Sequence, residues 1–196
     1  MSPARTQPDT GVLRIIGGRW RSRKLVFPDR PGLRPTTDRV RETLFNWLQA
    51  DVPGSRCLDL FAGSGALGLE AASRGAAAVL MLEHDAQATR ALAANIELLG
   101  ATQSNLMQRD TMAFLQAGRA VDMPGFDIVF IDPPYQTALA ERCCALLEQQ
   151  HWLASQAKVY VECGAASELT VPQNWRLLKQ KRAGQVAYHL FATSQE

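Results

Sequence analysis

The sequence predicts an α/β protein whose sheet is mainly parallel. From Arg56 onward, short apolar runs typical of strands alternate with runs typical of helices, a pattern that indicates right-handed βαβ units with helices on both faces of the sheet. The predicted strands cover 56–60, 77–82, 104–108, 126–131 and 157–162, and the predicted helices cover 66–73, 86–99, 111–117 and 137–149. Two further strand-like runs, 175–181 and 185–191, flank Arg182-Ala183-Gly184 and predict an antiparallel pair that closes the sheet.

The length of 196 residues fits one globular domain with a small extension. We expect a disordered tail over 1–11, a basic β-hairpin and connector over 12–35, and a single globular domain over 36–196. The first ten residues contain no apolar segment of the secretory type, and no run approaches the roughly 18 apolar residues of a membrane span. The four cysteines show no CxxC spacing, which favours reduced thiols over metal ligands or disulfides. We therefore expect a cytoplasmic monomer without a bound metal or a membrane partner.

Positive charge is concentrated at the start of the chain. Residues 1–41 hold ten Arg or Lys and three Asp or Glu, whereas the remainder holds 11 basic and 16 acidic residues. A basic arm on a mildly acidic body predicts a polyanionic partner that meets one end of the protein, and the excess of Arg over Lys suits phosphate geometry. The alternative is a solvated charged surface without a partner.

A β-hairpin is predicted at the start of this arm. Residues 12–16 and 19–27 have strand-like composition, and Gly17-Gly18 between them is a turn signal. Because side chains alternate along a strand, Arg19, Arg21 and Arg23 are expected on one face, with Trp20 nearby. This arrangement is consistent with an RNA-contacting ribbon or with a charged edge strand that prevents aggregation.

A helix is predicted to follow the Pro/Gly-rich connector over 28–35. Thr36 or Thr37 can cap it, and Asp38 is favourable in its first turn. Val40, Leu44, Trp47 and Leu48 recur at helical spacing and form one apolar face. Arg39 and Arg41 are expected to point away from that face.

A glycine-rich loop leaves the first predicted parallel strand. Cys57 to Gly68 reads CLDLFAGSGALG and contains GxGxxG between a strand and a helix, the context of a nucleotide-type cofactor site. Asp59 lies just before the loop, where it disfavours a pyrophosphate and favours the cationic ammonium and sulfonium of S-adenosylmethionine. The alternative for Asp59 is a helix-capping role.

Two further acids follow the next two predicted strands. Glu83 lies 20 residues after Gly63 and can accept hydrogen bonds from ribose hydroxyls. Asp110 can accept a hydrogen bond from an adenine amine, while an N-cap role for the helix at 111 is equally compatible with its position.

The run Asp132-Pro133-Pro134-Tyr135 follows the apolar strand 126–131. In open α/β sheets, ligands bind at the carboxyl ends of the strands. Asp132 and the Pro133 carbonyl can accept hydrogen bonds from an exocyclic amine, and Tyr135 can stack on a base. Taken alone, the same residues are also ordinary turn chemistry.

These motifs match a known family. Asp59-Leu-Phe-Ala-Gly-Ser-Gly65, Glu83, Asp110 and Asp132-Pro-Pro-Tyr135 resemble the class I S-adenosylmethionine-dependent amino-methyltransferases. More narrowly, residues 15–21, 33–47 and 183–188 resemble the RsmD-type 16S rRNA guanine-N2 methyltransferases, with likeness over about 12–191.

The resemblance implies a seven-stranded Rossmann-like sheet, S-adenosylmethionine as cofactor and 16S rRNA in the 30S subunit or an assembly intermediate as substrate. It also implies that Phe45, Phe61, Gly63 and Gly65 contribute to cofactor binding.

Three competing functions follow from the same residues. The Asp-Pro-Pro-Tyr element is shared with adenine-N6 and cytosine-N4 methyltransferases, so it predicts an amine and not a particular base. A non-catalytic RNA-binding assembly factor and an NAD-dependent enzyme are further alternatives. The intact glycine loop with Asp59 argues against both.

Overall fold

The computed structural model describes residues 10–28, 37–134 and 137–194. Its strands are β1 (Thr10–Arg14), β2 (Lys24–Pro28), β3 (Arg56–Asp59), β4 (Ala78–Glu83), β5 (Ser104–Gln108), β6 (Phe126–Ile131), β7 (Leu153–Gly164), β8 (Trp175–Ala183) and β9 (Val186–Thr193). Its helices are α1 (Asp38–Trp47), α2 (Gly68–Ser73), α3 (Ala86–Leu99), α4 (Thr111–Gln116) and α5 (Thr137–Gln149). The predicted alternation of strands and helices is confirmed from Arg56 onward. None of these helices is long and apolar enough to cross a membrane.

The main sheet has seven strands in the order β5-β4-β3-β6-β7-β9-β8. The five strands from β5 to β7 are parallel to one another, and β9 pairs antiparallel with both β7 and β8. The predicted antiparallel closure is therefore confirmed. The strand order changes direction between β3 and β6, and this switch point is where open α/β sheets bind ligands.

Alternating side chains divide the sheet into two buried faces. Cys57, Phe130 and Tyr160 pack into a core with α1, α2, α3 and the β1–β2 hairpin. Leu58 and Val129, one residue along their strands, pack into a second core with α4 and α5. This alternation places the last side chains of β3, β4 and β6 on a predictable face, which decides where the polar residues beyond the strand ends point.

The β1–β2 hairpin is present, but its second strand is shorter than predicted. β1 begins at Thr10, inside the stretch assigned to the tail, and β2 begins only at Lys24. Residues 15–23 form successive turns, in which the Ser22 N–H donates to the Ile15 carbonyl at 2.8 Å and Ser22 has φ +69°. The strand prediction over 19–27 was therefore wrong for its first five residues.

The cause of this difference lies in helix α2. The Trp20 side chain is buried. The backbone N–H of Trp20 donates to Ser73 Oγ at 3.0 Å, and the backbone N–H of Arg19 donates to the Ser73 carbonyl at 2.7 Å. These backbone groups bind the C-terminal end of α2 instead of a neighbouring strand. Arg19, Arg21 and Arg23 are all exposed, but they project from turns and do not share one strand face.

Helix α1 is capped by Thr37, whose side chain accepts from the Val40 N–H. Its predicted apolar face is buried at Val40, Leu44 and Leu48 and half-buried at Trp47. The expectation that Arg41 points away from the core was wrong. Arg41 is fully buried, and its Nη2 donates to Asp38 Oδ1 at 2.6 Å and to the Arg14 carbonyl at 2.8 Å. Arg39 is exposed, as expected.

Candidate active site

The glycine loop joins β3 to α2 at the centre of the sheet. Gly63 and Gly65 have φ of +51° and +81°, a backbone conformation that residues other than glycine rarely adopt. A Cβ on Gly65 would lie 2.5 Å from Leu92 Cδ1 in α3. The loop is therefore tightly wound and packed closely against α3, which explains why its motif is rich in glycine.

Asp59 is buried beneath this loop. Its Oδ2 accepts from the Gly68 N–H at 2.9 Å, and its Oδ1 accepts from the Phe61 N–H at 3.3 Å. The side chain is 1% exposed, so it offers almost no surface for direct contact with a ligand. The bond from the Gly68 N–H, at the start of α2, is the contact expected if Asp59 caps the helix after the loop.

Burial raises the pKa of Asp59 to about 7, against the two backbone N–H groups, which lower it. The charges of Asp132 and Glu83 raise it further. Asp59 and Glu83 end the adjacent strands β3 and β4, and Asp132 follows β6 on the other side of β3, so the three carboxylates share the carboxyl edge of the sheet. A site with concentrated negative charge favours a cationic ligand.

Glu83 ends β4 and holds the loop from the other side. Its Oε2 accepts from the Gly63 N–H at 2.9 Å, and its Oε1 accepts from the Asp85 N–H at 2.7 Å. Each carboxylate oxygen has a second lone pair, so these bonds leave capacity to accept from a ribose hydroxyl.

Asp110 lies at the same edge, beyond β5. It is exposed, and its Oδ1 accepts from the Ala113 N–H at 2.8 Å as the N-cap of α4. The neighbouring Arg109 N–H donates to the Glu83 carbonyl at 3.0 Å, which holds Asp110 next to the end of β4. The N-cap role is therefore present, and the exposed carboxylate remains available to a ligand.

Asp132 follows β6, the strand next to β3. It is half-buried, whereas Pro133 is buried and Pro134 is exposed. β6 lies between β3 and β7 in the sheet, and the charge of Asp132 raises the pKa of both Asp59 and Tyr160. Tyr135 lies outside the described residues, and its stacking on a base stays a prediction.

The two phenylalanines that the resemblance implicates in cofactor binding occupy different environments. Phe45 is fully buried, its ring centroid is 6.0 Å from that of Phe130, and the Arg74 guanidinium lies 5.0 Å from its ring. A side chain without exposed surface offers none to a ligand, so we do not include Phe45 in the proposed cofactor site. Phe61 is half-buried and packs against the core beneath α4 and α5, with part of its ring still accessible.

Two polar residues on β7 were missed by the sequence reasoning. Glu162 is 8% exposed, and the fully buried Tyr160 donates its hydroxyl to Glu162 Oε1 at 2.6 Å. The signal was available, because Glu162 is the last residue of the predicted strand 157–162, much as Glu83 directly follows the predicted strand 77–82. It was overlooked since no motif accompanies it.

A second missed group connects the hairpin to the site. Glu70 in α2 is fully buried and accepts from the N–H groups of Ile16 and Gly17, both at 2.8 Å. It also lies 3.6 Å from Arg41 Nη1 and accepts from Arg74 Nε at 2.7 Å. The basic arm is thereby attached to the helix that begins at the glycine loop.

The described residues contain no group of three or more His, Cys, Asp or Glu placed to hold a metal ion. The residues at the carboxyl edge instead fit an organic cation. Gly63 and Gly65, which have positive φ, allow a ligand to approach the backbone closely, and three neighbouring carboxylates provide negative charge in the same place.

Comparison with known proteins identifies relatives along almost the whole chain. The model of the family described as "Conserved hypothetical protein 95" matches residues 13–192. "Ribosomal RNA small subunit methyltransferase D" of Escherichia coli (strain K12) is 50% identical over 184 residues, which are 93% of this chain and 90% of that protein. The protein of the same name from Haemophilus influenzae is 44% identical over 193 residues, 97% of this chain and 99% of that protein. A solved structure of a putative methyltransferase from Escherichia coli superposes with a TM-score of 0.86 at 46% identity, covering 94% of this chain and 99% of that chain.

Proposed function

Because the chain belongs to the family described as "Conserved hypothetical protein 95", we propose that it transfers a methyl group from S-adenosylmethionine to the exocyclic N2 amine of a guanine in 16S rRNA. Its relatives of 50% and 44% identity are named small-subunit rRNA methyltransferases. One observation carries the reaction: in the parallel pairing of β3 with β6, Asp59 is opposite Phe130, two residues before Asp132. Asp132 and the Pro133 carbonyl form the predicted amine clamp. The methyl donor and the target amine would therefore meet at one edge of the sheet.

The cofactor site is formed by the loop and the acids around it. S-Adenosylmethionine supplies an electrophilic methyl group on a sulfonium when it is bound. Gly63 and Gly65 allow close approach to it, Glu83 and Asp110 accept from its ribose and adenine, and Asp59 favours its positive charge through the local field. Phe61 provides apolar contact at the rim.

Asp132 and Pro133 prepare the nucleophile. The lone pair of guanine N2 is delocalised into the ring, so it attacks poorly unless the nitrogen becomes more tetrahedral. We assign the Asp132 carboxylate and the Pro133 carbonyl as acceptors of the two amine hydrogens, which orients the lone pair toward the methyl carbon. The negative carboxylate also stabilises the positive charge that develops on N2, and the surplus proton then leaves to Asp132 or to water.

The target base reaches this site by leaving its stack. Exocyclic amines inside helical RNA are inaccessible to a recessed active site, so the base is flipped or splayed out of its loop. Tyr135 stacks on the extruded base, a contact of about 1–3 kcal/mol. We place this reaction in the cytoplasm, on a monomeric enzyme, with the 30S subunit or an assembly intermediate as the substrate.

Asp132→Ala tests the assignment of the clamp. The variant should lose methyl transfer to isolated small subunits from labelled cofactor while its calorimetric affinity for S-adenosylmethionine changes little. Asp122→Ala, an exposed acid in a loop before β6, is the matched control. Retained turnover in Asp132→Ala would refute the assignment. Mass spectrometry of the methylated nucleoside distinguishes guanine from adenine and cytosine, and transfer to naked rRNA compared with subunits identifies the form of the substrate.

The basic arm is proposed to bind the RNA backbone. Arg19, Arg21, Arg23 and Arg39 are exposed, and the hairpin packs on the same sheet face as the active-site carboxylates. Reversing the first three to Glu should weaken RNA binding and reduce the slope of log affinity against log salt by about 2, since each lost phosphate contact removes roughly 0.7–0.9.

A control variant reverses three exposed basic residues of β8, Lys179, Lys181 and Arg182. It makes the same change in net charge far along the chain from the hairpin. An equal loss of salt dependence in both variants would show that bulk charge, and not the hairpin, attracts the RNA.

A further inference from the structure

A second carboxylate stands beside the amine clamp. In the parallel pairing of β6 with β7, Phe130 is opposite Tyr160 and Ile131 is opposite Val161. Asp132 directly follows the end of β6, and Glu162 directly follows Val161 within β7. Extending the register by one residue brings the two acids level, with the strand axes roughly 4.8 Å apart. The influence of both acids on the Tyr160 hydroxyl supports this placement.

The orientation of Glu162 is fixed by Tyr160. The tyrosine hydroxyl is fully buried and donates to Glu162 Oε1 at 2.6 Å. Burial raises the pKa of Tyr160 well above its usual value, and the neighbouring Glu162 and Asp132 charges raise it further, so the phenol keeps its proton and remains a donor. A carboxylate offers about four acceptor sites, and the bond from the tyrosine hydroxyl occupies one of them.

The bases that carry an exocyclic amine differ in the atom next to it. In guanine, the N2 amine is flanked by N1–H, which is a donor. In adenine and cytosine, the amine is flanked by N1 and N3, which are acceptors on the Watson–Crick edge. Enzymes that extrude a base read it by hydrogen bonds on this edge. A second acceptor beside the amine clamp therefore pairs with the N1–H of guanine. It would repel the lone pair on N1 of adenine or N3 of cytosine.

We propose that Glu162 accepts the N1–H of the target guanine while Asp132 holds its N2 amine, which makes Glu162 a residue that determines base specificity. The inference rests on the proposed function and deepens it, because it supplies a physical reason for guanine that the amine clamp alone does not contain. Tyr160 acts as a positioning residue, since its hydroxyl holds the carboxylate against β7.

The test exchanges the target nucleotide. The methylated guanine is first located by mass spectrometry, and 16S rRNA is then prepared by ligation with either guanine or 2-aminopurine at that position and assembled into small subunits. 2-Aminopurine keeps the N2 amine but has an unprotonated N1. Wild-type enzyme and Glu162→Gln are compared by initial rates on both substrates, with Glu168→Gln, an exposed acid beyond β7, as the control.

The wild-type enzyme should prefer guanine by about 10- to 100-fold, since a hydrogen bond to a charged acceptor is lost and a lone pair faces the carboxylate. Glu162→Gln should reduce that preference by at least about tenfold, because an amide can donate to the bare N1. The loss of the guanine O6 in 2-aminopurine affects both enzymes and cancels in the comparison. A purely structural role for Glu162 would lower both rates together and leave the preference unchanged, which would overturn the inference.

Two outcomes separate this inference from the proposed function. If wild-type enzyme forms no N2-methylguanosine in any small-subunit substrate, the proposed function fails. If it forms this product but accepts 2-aminopurine as readily as guanine, only the role of Glu162 fails. Should Glu162→Gln not fold, as judged by its melting and its cofactor affinity, Glu162→Asp replaces it. That variant withdraws the carboxylate by one methylene, and it should lose activity on guanine without gaining any on 2-aminopurine. Activity on guanine equal to wild type would contradict the proposal.

Discussion

Replacing Glu70 should weaken the attachment of the N-terminal hairpin to the domain. The carboxylate is fully buried and binds four partners: the N–H groups of Ile16 and Gly17, the Arg74 guanidinium, and Arg41 at 3.6 Å. Arg41 is itself fully buried. In Glu70→Ala, two backbone donors lose their acceptor and a buried cation loses one of its two counter-charges, while Asp38 remains.

The magnitude follows from these contacts. Hydrogen bonds to a charged group contribute about 1.5–3 kcal/mol each, so the two backbone bonds represent about 3–6 kcal/mol. A second estimate comes from the buried ion pair of Glu70 with Arg41, since removing one partner of such a pair costs about 3–5 kcal/mol. The two estimates overlap, because both measure the loss of the same carboxylate. We do not add the two, and we add nothing for Arg74, whose side chain is 21% exposed and can turn toward water. We expect Glu70→Ala to lower the free energy of unfolding by about 4 kcal/mol, and Glu70→Gln, whose amide oxygen still accepts, by about half as much.

Urea denaturation of wild type, Glu70→Gln and Glu70→Ala measures this loss. Glu97→Gln, an exposed acid on α3, is the matched control and should change stability by less than about 0.5 kcal/mol. Hydrogen exchange at the amides of Ile16 and Gly17 should accelerate in the Glu70 variants by more than exchange in β3. If Glu70→Gln behaves like the control in both measurements, the carboxylate does not hold the hairpin and the reasoning is refuted.

Three further predictions concern the loop, the buried acid and the thiols. Gly65→Ala should destabilise the protein by more than Gly100→Ala. Both glycines have positive φ, which costs an alanine about 1–2 kcal/mol, but only a Cβ at Gly65 would meet another side chain. Equal losses of stability in thermal melts would contradict the close packing of the loop. Burial raises the pKa of Asp59 to about 7, so Asp59 becomes ionised between pH 6 and 8. Affinity for cationic S-adenosylmethionine should therefore rise about tenfold over that range, and calorimetry should find the rise absent in Asp59→Asn; identical pH profiles would argue against a field effect from this acid. The four thiols should resist iodoacetamide in the native protein and react after unfolding. All four are free and buried, and burial raises the pKa of each: Cys57, Cys143, Cys144 and Cys163. Rapid labelling of the native protein would contradict that burial.

The sequence by itself determined the sheet and the order of its parts. Apolar runs of strand length and helical spacing are local properties, so the strands from Arg56 to Ile131 and the helices between them lie within two residues of their predicted bounds. The acids that follow strands could be located for the same reason, since parallel strands bring their carboxyl ends to one edge.

Only the tertiary structure decided which partner each polar group meets. Arg41 falls on a helix face that its own sequence context leaves polar, yet Glu70, almost thirty residues later, draws it into the core. The alternation of arginines over 19–23 suggested a strand, but the backbone N–H groups of Arg19 and Trp20 donate to Ser73 at the end of α2. Local pattern cannot contain such a contact between distant segments. The placement of Glu162 near Asp132 likewise depends on the pairing of β6 with β7, in which Ile131 is opposite Val161. Local pattern therefore specifies elements, whereas the pairing of buried charges and donors depends on contacts between residues far apart in the chain.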